Sequence, residues 1–253
     1  PKPMLEKYHG KPLPSTNLRT ERKTGSAFRS PFKFQKYGQS GIEVSELFHE
    51  TASHCIDDMC VIRSMYADVP NHEPSLFMMN CGAIQPGRPS LGSWLTYGLG
   101  TENRNLPGYV VLCPGTPVVG PPLWESAFLP AVFQGTFIKA TEKDPRKLVQ
   151  FLDRGRKTEA DQRRQLDLLK ELNTSHLAER AGDSNLEAAI QSMETAFRMQ
   201  TEVPEVFDVS KESEGVRERY GDSDFGRGCL MALRLVEKGV RMVQIYYGNS
   251  QPW

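Results

Sequence analysis

The chain contains no run of about 18 or more apolar residues, so no segment of it reads as a membrane-spanning helix. Neither sign of charge is in excess: 31 basic residues stand against 31 acidic ones, and no net positive field argues for nucleic acid or an anionic membrane surface as partner. The patterns GxGxxG, GxxxxGKS, HExxH and GxSxG are all missing, and the enzyme classes they mark lose support accordingly. Cysteine is sparse. The five cysteines (Cys55, Cys60, Cys81, Cys113, Cys229) are odd in number, lie among apolar neighbours and lack paired metal-ligand spacing, so they are expected to be mostly small buried hydrophobes. There is no internal repeat and no low-complexity tract.

What is present, over 253 residues, is enough chain for one large α/β domain or two small ones, with a sizeable core in either case. The first forty residues are rich in Pro, Gly, Ser, Lys and Arg without a sustained period, which favours an extended surface segment. A helical pattern follows, with Val44, Leu47, Phe48, Ala52 and Cys55 at three- and four-residue steps. The short apolar run MCVIRSMYA is expected to be a buried strand. RPSLGSWLTYGLG predicts a helix entered at Ser90 and ended by glycines, and GYVVLCP a second buried strand. Residues 115–135, with Pro117, Pro121, Pro122 and Pro130, read as a long loop over one end of a sheet.

Further on, Leu166, Leu169, Leu172 and Leu177 form a stripe from Glu159 to about Ala181, stopped by Gly182. Ser184 and Glu187 make a capping-box signal for a second helix striped by Leu186, Ile190, Met193 and Phe197, so the pair predicts an antiparallel helical hairpin over 159–199. Phe225, Cys229, Leu233 and Val236 then line a helix ending at Gly239, which feeds a buried strand over Val240 to Tyr247. The alternation predicts an α/β fold with a mostly parallel sheet flanked by helices.

The chemistry-bearing stretch is NHEPSLFMMNCG, Asn71 to Gly82. Ligands in open α/β sheets gather at the carboxyl ends of strands, and this stretch lies there if MCVIRSM is a strand. Pro74 suits the first turn of a helix whose N-terminus would face Asn71 and His72, a place where an anion can sit. His72 can act there as nucleophile, metal ligand or proton donor to a leaving oxygen. A plain helix start capped by His72 or Asn71 accounts for the same residues, and Glu73 either binds a cation or complements the helix dipole. His49 and His54, five apart, miss the spacing that puts two ligands on one helical face, and His9 and His176 have no companions in sequence.

HEPSLFMMNCG also resembles the sulfatase signature CxPSRxxxLTG without gaps, with His72 in the place of the modified cysteine, Pro74 and Ser75 on the Pro-Ser and Gly82 on the final glycine. Over nearly its whole length the chain is similar to the bacterial family called domain of unknown function 1501, abundant in planctomycetes and placed in the alkaline-phosphatase and sulfatase superfamily. The residues that carry this likeness are PKPMLEKYHGKPLP, SPFKFQKYGQSGIEVSELF, NHEPSLFMMNCG, PSLGSWLTYGLGTENRNLPGYVVL and DFGRGCLMALRLVEKGVRMVQIYYG.

The resemblance implies an alkaline-phosphatase/sulfatase-like domain spanning 1–253, with the 159–199 hairpin inserted in it. It also implies a fragment lacking both ends, cut from a protein exported to the periplasm by a twin-arginine signal. The expected activity is metal-dependent hydrolysis of phosphate or sulfate esters, on a small-molecule or polysaccharide ester, with a divalent Zn, Ca, Mg or Mn ion. His72 and Ser75 are then the catalytic candidates, Asn71 and Asn80 the substrate-binding ones, and Glu73 a metal ligand whose main companions lie outside this chain. Two departures matter: His72 cannot become formylglycine, and Leu76 replaces the arginine that steadies that residue. The alternative is a non-catalytic binding protein of the cell envelope that keeps the fold.

Overall fold

The computed structural model describes residues 1–12, 24–148, 158–179 and 184–247. They form two compact units, Pro1–Asn71 and His72–Trp253.

In the first unit α1 (Pro3–Lys7) starts on a proline at N1, where the missing N–H costs nothing. Strands β1 (Phe34–Tyr37) and β2 (Ile42–Ser45) pair antiparallel, Phe34 opposite Ser45 and Tyr37 opposite Ile42. Their connection turns through Gly38 and Gly41, both at positive φ near 60°. The Asp57 carboxylate accepts from the backbone N–H groups of Gln39 and Ser40, each at 2.9 Å, and so closes this turn. A 3₁₀ turn (Glu46–Phe48), α2 (His49–Cys55) and a second 3₁₀ turn (Ile56–Asp58) follow. Tyr37, Ala52 and Ile56 make the small core, with Ile42 and Val44 against it.

Three expectations need correcting in this unit. The first forty residues are not wholly irregular, because α1 and β1 lie among them. Val44 belongs to β2, and the helical pattern begins only after it. MCVIRSM is not a strand: it has no ladder partner among the described residues, and Met59, Val61, Ile62 and Met65 are exposed. An apolar run becomes a strand only when a neighbour takes up its backbone groups.

The second unit opens with α3 (His72–Cys81) and α4 (Leu91–Leu99). Ser90 caps α4, its hydroxyl accepting from the Ser93 N–H, and Gly100 ends it at φ 67, as the sequence predicts. Strand β3 (Tyr109–Leu112) is buried along its whole length. The proline-rich loop carries 3₁₀ turns at Pro121–Trp124 and Ala131–Phe133 and leads into β4 (Thr136–Ile138). After α5 (Pro145–Leu148) come α6 (Glu159–Glu179), α7 (Ser184–Val206), α8 (Glu214–Tyr220), α9 (Asp224–Glu237) and β5 (Met242–Ile245).

The three strands lie in the order β4-β3-β5, all parallel, with Leu112 opposite both Ile138 and Ile245. The fold class is thus α/β with a parallel sheet among helices. Alternation along β3 divides the core in two. Val110 and Leu112 join Ile138, Val203, Val206, Phe207, Met231 and Leu235 on the face covered by α7 and α9. Tyr109, Val111 and Cys113 join Phe77, Leu123 and Trp124 on the other. Each large side chain buried here contributes roughly 1.5–3 kcal/mol, and a sheet this small depends on both layers.

The predicted hairpin is present as α6 packed on α7, with early α6 meeting the middle of α7: Arg163 forms a bidentate pair with Glu194 at 3.0 and 2.8 Å and lies over the Phe197 ring. α7 runs on to Val206, past the predicted 199. The stop at Gly182 and the Ser184–Glu187 capping signal lie outside the described residues and side chains. The last strand is shorter than Val240 to Tyr247 and is half-buried, since only one of its edges pairs among the described residues. Of the cysteines only Cys113 is buried. Cys55 and Cys60 are exposed and Cys81 and Cys229 half-buried, which corrects the expectation for four of the five.

Candidate functional site

Helix α3 begins at His72, the first residue of the second unit, while Asn71 closes the first. Pro74 lies in its first turn, where the missing N–H removes no intrahelical bond. His72 and Glu73 are exposed, Ser75 and Leu76 half-buried, and Phe77 is the one buried residue of the helix. His72, Glu73 and Ser75 therefore share a first turn at the positive end of the helix dipole, where an anion is favoured. Glu73 places its own negative charge there.

Asn80 lies elsewhere. Eight residues separate it from His72, about 12 Å at 1.5 Å per residue. Its Nδ2 donates to the Leu76 carbonyl at 2.8 Å, and its Oδ1 accepts from the Tyr246 hydroxyl at 3.0 Å and from Gln244 Nε2. Gln244 Nε2 also donates to the Tyr246 hydroxyl at 2.8 Å, and Gln244 Oε1 accepts from the Tyr109 hydroxyl. This quartet joins α3 to β3 and to β5 with its following residue. Burial drives the phenols of Tyr109 and Tyr246 well above their ordinary range, so both keep the proton that these bonds need. Cys81 and Cys113 pack beside the quartet. Burial, and after it the charge of Glu125, raises the Cys81 thiol, and burial pushes Cys113 up to about 12, so neither thiol is an activated nucleophile.

Tyr109, Gln244 and Tyr246 were not among the residues singled out by sequence. Gln244 did carry a signal: it is the single polar side chain within the strand Met242–Ile245. A polar residue there needs a partner if it faces protein.

Other sequence candidates have local roles. His49 Nδ1 pairs with the Tyr37 hydroxyl at 3.0 Å, His54 Nδ1 with the Glu50 carbonyl at 2.8 Å, and His9 Nδ1 accepts from the Arg29 N–H at 3.2 Å. Among the described residues no three His, Cys, Asp or Glu side chains converge as a metal site, so Glu73 has no co-ligands there. No described helix is long and apolar enough to cross a membrane.

No curated protein and no solved structure matches the chain. A family model described as protein of unknown function (DUF1501) matches residues 1–253, and the chain belongs to that family.

Proposed function

We propose that the protein is an exported, metal-dependent hydrolase of phosphate or sulfate esters, built as one alkaline-phosphatase-type domain with the 159–199 hairpin inserted in it. The observation that carries this reading is the position of His72, exposed as the first residue of α3. An anionic ester group at that helix end meets the positive end of the dipole and an imidazole that can take up the transferred group or protonate the leaving oxygen. Ser75, one turn on, is the second catalytic candidate. The likeness of HEPSLFMMNCG to the sulfatase signature supports the same position, while His72 and Leu76 exclude formylglycine chemistry.

A Zn, Ca, Mg or Mn ion, supplying Lewis-acid polarisation of the ester oxygen, would take its ligands from outside the described residues, with Glu73 at most one of them. The substrate in this reading is a small-molecule or polysaccharide ester and the compartment the periplasm. Metal analysis and aryl phosphate and aryl sulfate panels on the full-length protein test it, and an undiminished His72→Ala variant excludes His72 as nucleophile.

One observation favours a second reading, a non-catalytic binding protein of the cell envelope. His72, Glu73 and Ser75 share the first turn of α3, but Asn80 is held in the polar quartet eight residues along the helix from His72, so the candidates do not all converge on one reacting centre. Saturable binding of a sulfated polysaccharide by full-length protein that turns over no ester would select it.

A further inference from the structure

Helix α3 is short and is held by a mixture of apolar and directional contacts. It has ten residues, shorter than the length at which an isolated helix persists in water, and fully buries one side chain, Phe77, with Leu76 and Cys81 partly buried against the same cluster. An apolar contact of that kind is non-directional and tolerates sliding and rotation of the helix. Directional ties run from Asn80, fixing one point of the helix to β5 and, through Gln244, to Tyr109 of β3, and next to them the Cys81 thiol donates to the Pro122 carbonyl at 3.8 Å. Since Asn80 Nδ2 also binds the carbonyl one turn back, at Leu76, side chain and helix backbone move as one body.

We propose that Asn80 is a positioning residue: with Gln244 and Tyr246 it sets the register and rotation of α3 on the sheet, and through the rigid helix it sets where His72 stands. The inference rests on the reading of His72 as the reacting residue, and it gives Asn80 a task other than substrate contact. Both acceptor bonds of Asn80 are made by its Oδ1, so an aspartate in its place keeps an oxygen toward Gln244 Nε2 and the Tyr246 hydroxyl. A leucine keeps the approximate volume and loses every tie.

The test is a set of NMR measurements on the full-length protein, wild type, Asn80→Leu and Asn80→Asp. His72 imidazole signals are followed without ligand and with inorganic phosphate, and amide exchange is followed along α3. Expected are displaced His72 signals and exchange at Phe77–Cys81 about tenfold or more faster in Asn80→Leu. Asn80→Asp should return the His72 signals toward wild type. Unchanged His72 signals in Asn80→Leu overturn the positioning role, as does an Asn80→Asp protein that behaves like the leucine variant. If Asn80→Leu does not fold, Gln244→Leu, which removes one tie from outside the helix, must displace the same signals. The phosphate arm reads the hydrolase proposal separately: a wild-type His72 that does not respond to phosphate counts against that proposal alone.

Discussion

The Tyr246 hydroxyl donates to Asn80 Oδ1 across 3.0 Å, joining the last full turn of α3 to the residue after β5, 166 positions later in the chain. Tyr246→Phe removes that donor and an acceptor for Gln244 while leaving the ring against Trp124. The expected cost is about 1–3 kcal/mol, because partly buried amide groups lose partners and not merely contacts. Denaturant unfolding should show a lower midpoint at an unchanged slope.

Arg234 of α9 closes the end of α7. Its Nε donates to the Val206 carbonyl at 2.7 Å, one terminal nitrogen to the Glu205 carbonyl at 2.8 Å, and the other pairs with Glu212. A helix C-terminus leaves its last carbonyls without intrahelical donors, and a guanidinium fork supplies two of them. Arg234→Ala should cost about 2–3 kcal/mol. Arg234→Lys, a point charge without the fork, should recover less than half of the loss in the same unfolding measurement.

Gly92 of α4 faces the Tyr109 ring so closely that a Cβ would lie 2.4 Å from the ring Cζ. Tyr109 is 2 % exposed and cannot move aside without disturbing Val111 and Trp124 around it. Gly92→Ala should therefore destabilise the unit by about 1–3 kcal/mol through overpacking, despite alanine's better helix propensity. Gly98, at the exposed end of the same helix, has open space around it, and Gly98→Ala is the control expected to be neutral or slightly stabilising.

The turn between β1 and β2 should be sensitive to acid. The backbone N–H of Ser40 first, and that of Gln39 next, hold the Asp57 carboxyl below its ordinary value of 3.8. A depressed carboxylate contributes stability that is complete above the unfolded value and lost as pH falls through the lower folded one. The Ser40 and Gln39 amide resonances should accordingly titrate together below pH 3.8. Asp57→Asn should abolish that titration while keeping one oxygen as acceptor.

The elements legible in the sequence are those whose ends carry their own chemistry. Ser90 and Gly100 bound α4, and Gly239 follows α9 at φ 83, so these helix ends could be placed by reading caps, while the Ser223 cap that opens α9 was not read. Strand β3 was legible because YVVL is apolar throughout, as a fully buried strand must be. MCVIRSM is apolar apart from Arg63 and Ser64 and is not a strand, since pairing belongs to a strand and its neighbour together. The β1–β2 hairpin was missed although Gly38 and Gly41 flank its turn, because the helical period starting at Val44 competed with it.

The candidate site divides the same way. Its first turn could be read from His72, Pro74 and Ser75, which lie within four consecutive residues. The quartet of Tyr109, Gln244, Tyr246 and Asn80 could not, for its members meet only once α3 and β5 are laid on β3.

The most direct test of the account is ester hydrolysis by the full-length protein, supplied with divalent metal, compared with its His72→Ala variant. Release of phosphate or sulfate from an aryl ester by the wild type is predicted, falling by about a hundredfold or more in the variant, as when a general acid or nucleophile is removed. A variant that hydrolyses the ester as fast as the wild type would contradict the role given to His72.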